Sequence, residues 1–157
     1  MSNIVIVGSG PAGVSAALYA VRAGVQTTVL TKGSGALARA EKIENYYGFA
    51  QPVSGPELER RSIENARRLG VQFVQTEAVG LTWTDRLTVE TLAGAYPADA
   101  VILATGASRA VPRILGLTGL EGHGVSWCAA CDAFFYRGKD VAVLGSGEYA
   151  LHEVQAL

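Results

Sequence analysis

Residues 3–15 read NIVIVGSGPAGVS, and the fold follows from this stretch. Five residues rich in β-branched side chains, with no polar alternation, read as a strand buried on both faces. Gly8, Gly10 and Gly13 follow it in a G-x-G-x-x-G spacing. Residues 11–23 have helical composition and Gly24 is a stop signal. Residues 26–30 (QTTVL) form a second strand. Strand, glycine turn, helix and strand together have the size of one βαβ crossover. At such a turn the first glycine permits the tight bend, the second leaves room for phosphates, and the third lets helix and strand pack closely. The phosphates then meet unpaired N–H groups at the positive end of the helix. The glycines stand in the context the motif requires, after a strand and at a helix start. Plain glycine turns in an α/β protein are the competing reading. One usual element is missing, because the second strand runs into Leu30-Thr31-Lys32 rather than the acid that normally holds the ribose.

Composition agrees with a buried sheet. The 157 residues are 49% hydrophobic and 17% charged, which excludes a disordered chain. A formal net charge of -1 offers no electrostatic case for nucleic acid or an anionic membrane as partner. Two cysteines cannot form the disulfide framework of a small secreted fold. Residues 4–21 are mostly apolar, yet no Lys or Arg precedes them and Gly8-Ser9-Gly10-Pro11 interrupts them. That argues against a signal peptide, and a cytoplasmic location is expected. No run has the length and apolarity of a membrane span.

Further along, residues 31–55 are too long and irregular for an ordinary connection, which points to a functional segment. Residues 54–69 read as a helix capped by Ser54 or Gly55, with Pro56 in its first turn. Strands are expected at 71–74, 78–84, 86–92, 98–103 and 140–144, and a helix at 148–157. A glycine-punctuated stretch at 113–125 marks a boundary between domains 1–112 and 113–157. The fingerprint returns in residues 141–150, where VAVLGSGEYA repeats the pattern with Gly145, Gly147 and Ala150. Ala104-Thr105-Gly106-Ala107 leaves the end of an apolar strand, either as a simple exit or as backbone passing under a nucleotide.

The second chemical signal is Cys128-Ala129-Ala130-Cys131. In a cytosolic α/β protein this spacing suggests a redox dithiol. Thiol exchange needs proton transfer at the leaving sulfur, and Asp132 is the adjacent candidate acid. Two alternatives stand beside it. One is zinc, with His123 and His152 completing a tetrahedral set. The other is a pair of buried core cysteines, with Trp127, Phe134 and Phe135 as packing.

These residues resemble the low-molecular-weight thioredoxin reductases, flavoproteins of the pyridine nucleotide-disulfide oxidoreductase type. The resemblance is carried by VIVGSGPAGVSAALYAVRAG, GAL…IENYYGF, VILATGAS and GVSWCAACDAFFYRGKDVAVLGSG, and runs along essentially the whole chain. It implies an α/β fold of the three-layer FAD/NAD(P)-binding Rossmann-like kind, with two dinucleotide-binding domains. By this resemblance FAD is the cofactor of the first domain. Gly8, Gly10, Pro11 and Ala12 would meet its pyrophosphate. Thr31, Lys32, Gly35, Ala36 and Leu37 would line its adenosine and flavin side, with Asn45 next to the cofactor, Val79 facing the adenine, and Thr105 and Gly106 bordering the nucleotide. Gly145 and Gly147 would belong to the NADPH site. Cys131 would be the sulfur beside the flavin, Cys128 the attacking sulfur, and Asp132 the proton donor. A thioredoxin-like protein is the implied partner and a homodimer the implied assembly.

The sequence departs from the family at the second turn, where a small polar pair is usual and Glu148-Tyr149 stands instead. Two like charges about 5 Å apart at an effective dielectric of about 20 repel by roughly 3 kcal/mol, although the usual pair can itself contain an Asp. His152 replaces a usual glutamate and Tyr47 a common proline. An electron donor other than NADPH, such as ferredoxin, is therefore an alternative, as is a dinucleotide-binding protein without turnover. The second domain has only the cysteine region, one expected strand and one expected helix, so the chain reads as about half of a two-domain flavoenzyme, with that domain incomplete.

Overall fold

The first strand, β1 (Asn3–Val7), divides its side chains between two cores. Ile6 is fully buried with Val29, Val14 and Ala17 on one side, while Val5 packs with Leu30, Val89 and Ala98 on the other. Neighbouring residues on a strand point to opposite faces, so a strand covered on both sides needs apolar residues throughout, as NIVIV supplies.

The computed structural model describes residues 2–108 and 110–157. The chain forms two compact units, residues 1–109 and 110–157. In the first, β1 lies between β2 (Gln26–Thr31) and β7 (Ala100–Leu103), and β3 (Gln72–Gln75) pairs with β2. All three pairings are parallel and give the order β3-β2-β1-β7. Helices α1 (Pro11–Arg22) and α2 (Gly55–Arg68) share the core of Ile6, Val14, Ala17, Val29 and Ala66. The other core joins the parallel sheet to an antiparallel sheet of β4 (Ala78–Trp83), β5 (Leu87–Thr91) and β6 (Gly94–Ala98). Helices, parallel sheet and antiparallel sheet make the three expected layers.

The helix starts follow local chemistry. Pro11 occupies the first position of α1, where a missing N–H costs nothing. Ser54 caps α2, its Oγ accepting from the Glu57 N–H at 3.3 Å. Glu57 turns outward and takes hydrogen bonds from Arg60 and Arg61, which hold its carboxyl down at about 2. The 31–55 segment is ordered by a 3₁₀ turn (Ala36–Arg39) and an antiparallel bridge between Ile43 and Val53. It closes onto the start of α2 through the Gly55 N–H to Ala40 O bond of 2.7 Å.

Two strand expectations need correction. Residues 98–103 are not one strand. Ala98 ends β6 in the antiparallel sheet, Ala100 starts β7 in the parallel one, and the chain changes sheet at Asp99. The Asp99 carboxylate accepts from the Asn3 N–H at 2.8 Å and from Arg86 at 3.0 Å. The Asn3 bond and the guanidinium hold that carboxyl below its ordinary value. β6 itself escapes sequence reading because Pro97 lies inside it, a residue tolerated on an edge strand.

The second correction is at 140–144. This segment is no strand, because a strand requires a ladder partner and none is present among the described residues of the second unit. Val141, Val143 and Leu144 are exposed there. That unit instead holds α3 (Ala129–Asp132), a 3₁₀ turn (Ala133–Tyr136) and α4 (Glu148–Gln155). The glycine turn at Gly145 and Gly147 leads directly into α4.

If the Ser54 cap holds the start of α2 as described, Ser54→Ala should cost about 1 kcal/mol in urea unfolding, while Ser54→Asp should cost far less. Equal losses in the two variants would contradict it.

Candidate functional site

The first glycine turn is built by backbone crowding. Gly8 has φ 112°, and a Cβ there would lie 2.2 Å from Ala104 O. A Cβ on Gly13 would lie 1.9 Å from Gly8 O. These two glycines let the end of β1, the chain leaving β7 and the first turn of α1 meet at contact distance. Gly10 is different. It is the N-cap of α1, with φ -69° and no side-chain cap, and nothing lies within 4 Å of a Cβ placed on it. The space above Gly10 therefore opens onto the N-terminal N–H groups of α1, where an anion is favoured.

A hydroxyl residue, Thr31, stands at the end of β2 where the acid is missing. Thr31 Oγ1 is 2.7 Å from Ser9 Oγ, and it accepts from the Gly33 N–H at 3.2 Å. Thr31 thus ties the glycine turn to the chain leaving β2. Lys32 reaches away to Glu77 at 3.1 Å. Ser9 was not singled out by sequence, since the motif assigns no role to the residue between the first two glycines.

The turn faces a cleft whose wall includes Ser9, Gly10, Pro11, Leu37, Tyr46 and Glu59. Glu59 is 8% exposed on α2, an acid that helical patterning alone would place on the surface. Leu37 comes to the cleft from the 3₁₀ turn, with Gly35 as its N-cap and Ala36 as its first residue. Ala12, in the first turn of α1, is exposed. Asn45 is exposed in the 31–55 segment, next to Tyr46. Val79 stands on β4, 61% exposed. Thr105 and Gly106 leave β7, just past the Ala104 carbonyl against which Gly8 packs. Gly8, Thr31 and Thr105 lie at or just past the C-terminal ends of β1, β2 and β7, the usual ligand edge of such folds. The residues fit a dinucleotide: Gly10 leaves open a cradle that any Cβ would begin to fill.

In the second unit Cys128 and Cys131 are joined in a disulfide, with Cα atoms 5.3 Å apart. Cys128 is the N-cap of α3 and Asp132 its last residue. Ser126 Oγ donates to Asp132 Oδ2 at 2.6 Å and accepts from the Cys128 N–H at 3.2 Å. The Ala129 N–H donates to Glu153 Oε2 of α4 at 2.5 Å. Sequence reasoning missed Ser126 and Glu153. Ser126 had a local signal, its place two residues before the first cysteine. The Glu153 contact joins residues 24 apart in sequence and had none.

The second glycine turn has a complementary arrangement to the first. Gly147 is the N-cap of α4, and nothing lies within 4 Å of a Cβ on it, as at Gly10. A Cβ on Gly145 would lie 2.7 Å from Ala150 Cβ. With alanine in the third position, the first must lack a side chain. Glu148 opens α4, and Tyr149 beside it is 63% exposed. Among the described residues no helix is long and apolar enough to cross a membrane.

Gly8→Ala should lower the melting temperature of the apoprotein sharply, because the added methyl meets backbone. Gly10→Ala should leave it nearly unchanged, because nothing lies within 4 Å of the added methyl. Comparable destabilisation by the two changes would contradict the geometry of the turn.

A thioredoxin reductase from Streptomyces coelicolor is 39% identical over 163 residues, covering 99% of this chain and 50% of the relative. A protein named glucosaminate ammonia-lyase from Pseudomonas fluorescens is 40% identical over 158 residues, with 97% and 48% covered. The thioredoxin reductase structure from Streptococcus pyogenes MGAS5005 superposes with a TM-score of 0.89 at 35% identity, covering 98% of this chain and 51% of that one. The chain spans about half the length of the curated relatives it matches. The family model described as pyridine nucleotide-disulphide oxidoreductase matches residues 2–157, and together with the two glycine turns and the cysteine pair this shows that the chain belongs to that family.

Proposed function

We propose that this chain forms the flavin-binding and dithiol-bearing part of a disulfide oxidoreductase of the thioredoxin reductase type. The observation that carries the reading is the Cys128–Cys131 disulfide at the start of α3, with Asp132 closing the same turn. Similarity to relatives alone does not choose the activity, because one relative of equal identity is named an ammonia-lyase.

In this reading Gly8, Gly10, Pro11 and Ala12 hold the pyrophosphate of FAD against the start of α1. Thr31, Lys32, Gly35, Ala36, Leu37 and Asn45 line the rest of the cofactor, with Val79 toward the adenine and Thr105 and Gly106 along the nucleotide. FAD, when bound, would supply the electron pair that opens the disulfide. Cys131 would face the flavin and Cys128 would attack the disulfide of the partner, a thioredoxin-like protein. Asp132 would hand a proton to the departing sulfur, so that a neutral thiol leaves in place of a thiolate. The assembly would be a homodimer and the location cytoplasmic.

The donor is NADPH in the first reading, bound at Gly145 and Gly147. Glu148 favours a second. A carboxylate in the first turn of α4 stabilises the helix but competes with phosphate for the same N–H groups. A donor that binds elsewhere, such as ferredoxin, avoids that competition.

Anaerobic titration of the flavin-loaded protein with NADPH separates the two. Rapid bleaching of the flavin bands at stoichiometric NADPH supports the first reading, and no bleaching supports the second. Independently of the donor, Cys128→Ser should abolish reduction of a protein disulfide while the flavin spectrum persists. Retained reduction in that variant would overturn the proposed function.

A further inference from the structure

Asp132 is held by a neighbour outside the cysteine motif. α3 is a single turn in which both the Cys131 and Asp132 N–H groups donate to Cys128 O, at 3.2 and 3.1 Å. That turn folds Asp132 back toward the residues preceding Cys128. There its carboxylate meets Ser126 Oγ at 2.6 Å, while the same oxygen accepts from the Cys128 N–H at 3.2 Å. Cys128 O lies at 3.3 Å from Ser126 Oγ. A hydroxyl has one proton to give, and the shorter contact, to Asp132 Oδ2, takes it. The result is a directed chain: Cys128 N–H to Ser126 Oγ, and Ser126 O–H to Asp132 Oδ2. One hydroxyl therefore fixes both the backbone of the first cysteine and the orientation of the acid.

We propose that Ser126 is a positioning residue for disulfide exchange, holding the Asp132 carboxyl in register with the dithiol. The proposal rests on the reading of Asp132 as proton donor. In the step it serves, the Cys128 thiolate forms a bond to one sulfur of the partner's disulfide and the partner's S–S bond breaks. The other sulfur leaves with the electron pair and takes the proton of the Asp132 carboxyl. The Cys131 thiolate then attacks the Cys128 sulfur, restores the Cys128–Cys131 bond and releases the second partner sulfur as a thiolate. Two electrons have passed from the dithiol to the partner, and a reduced flavin, when bound, would be the reductant that regenerates the dithiol. A carboxyl free to rotate would lose the alignment on which the proton transfer depends, and misplacement of a reacting group by about 1 Å can cost up to about 100-fold in rate. Ser126 touches no reacting sulfur in this scheme, so its influence passes through Asp132.

The test uses the flavin-loaded protein and measures kcat and KM for reduction of a protein disulfide in Ser126→Ala, Ser126→Thr, Asp132→Asn and the Ser126→Ala/Asp132→Asn double variant. The expected results are a loss of about 100-fold in kcat for Asp132→Asn, about tenfold for Ser126→Ala with KM unchanged, and recovery in Ser126→Thr, which restores the hydroxyl. In the Asp132→Asn background, Ser126→Ala should cause no further loss, because the two act as one unit. A general loosening of the loop would instead multiply the two losses, and that result overturns the proposal. Unchanged kcat in Ser126→Ala beside a large loss in Asp132→Asn also overturns it while leaving the acid in place. Unchanged kcat in Asp132→Asn removes the acid reading itself, and the role of Ser126 with it.

Discussion

The first unit depends on one close approach: the peptide backbone at Gly8, Gly13 and Ala104 packs with no side chain between. A Cβ on Gly8 or Gly13 would sit 2.2 or 1.9 Å from a carbonyl oxygen, far inside van der Waals contact. Because that space is empty, α1 starts directly above the ends of β1 and β7, and its N-terminal N–H groups face the C-terminal edge of the sheet. The two cores then follow. Ile6 and Val29 meet the helices, and Val5 and Leu30 meet the antiparallel sheet. The three glycines have three different tasks. Two make the packing possible and the one between them, Gly10, leaves room for a ligand. The second turn reaches the same end by exchanging partners, with Ala150 in the third position and an obligatory gap at Gly145.

Much of this was legible in the sequence because it is local. NIVIV announces burial on both faces, the glycine spacing announces the turn, and Ser54 or Gly55 ahead of Pro56 announces a helix start. The parts that were misread depend on partners elsewhere in the chain. Residues 140–144 have the apolar pattern of a strand, but pattern reports burial and not the presence of a ladder. Residues 98–103 are apolar except at Asp99, which bonds to Asn3 and Arg86 and marks the change between two sheets. Pro97 hid β6 because the exception that allows proline on an edge strand cannot be seen until the sheet order is known.

The site shows the same division. Gly8, Gly10, Thr31 and Leu37, proposed at the cofactor, lie around the first glycine turn. The Ser9–Thr31 hydroxyl pair at the end of β2 is a tertiary contact between two residues that no motif links. In the second unit Cys128, Cys131 and Asp132 are visible in sequence, while the groups that hold them are not. Ser126 and Glu153 bind the two ends of the same short helix, one from the preceding loop and one from α4. The dithiol is thereby joined to the helix that follows the second glycine turn.

The central claim is that a bound flavin and the Cys128–Cys131 disulfide form one redox unit. Anaerobic titration of the flavin-loaded protein with dithionite tests it most directly, because a dithiol couple takes up two electrons in addition to those taken by the flavin. The account predicts that full reduction of the protein consumes roughly twice as much dithionite per flavin as full reduction of the Cys128→Ser variant. Equal consumption by the two proteins would contradict it.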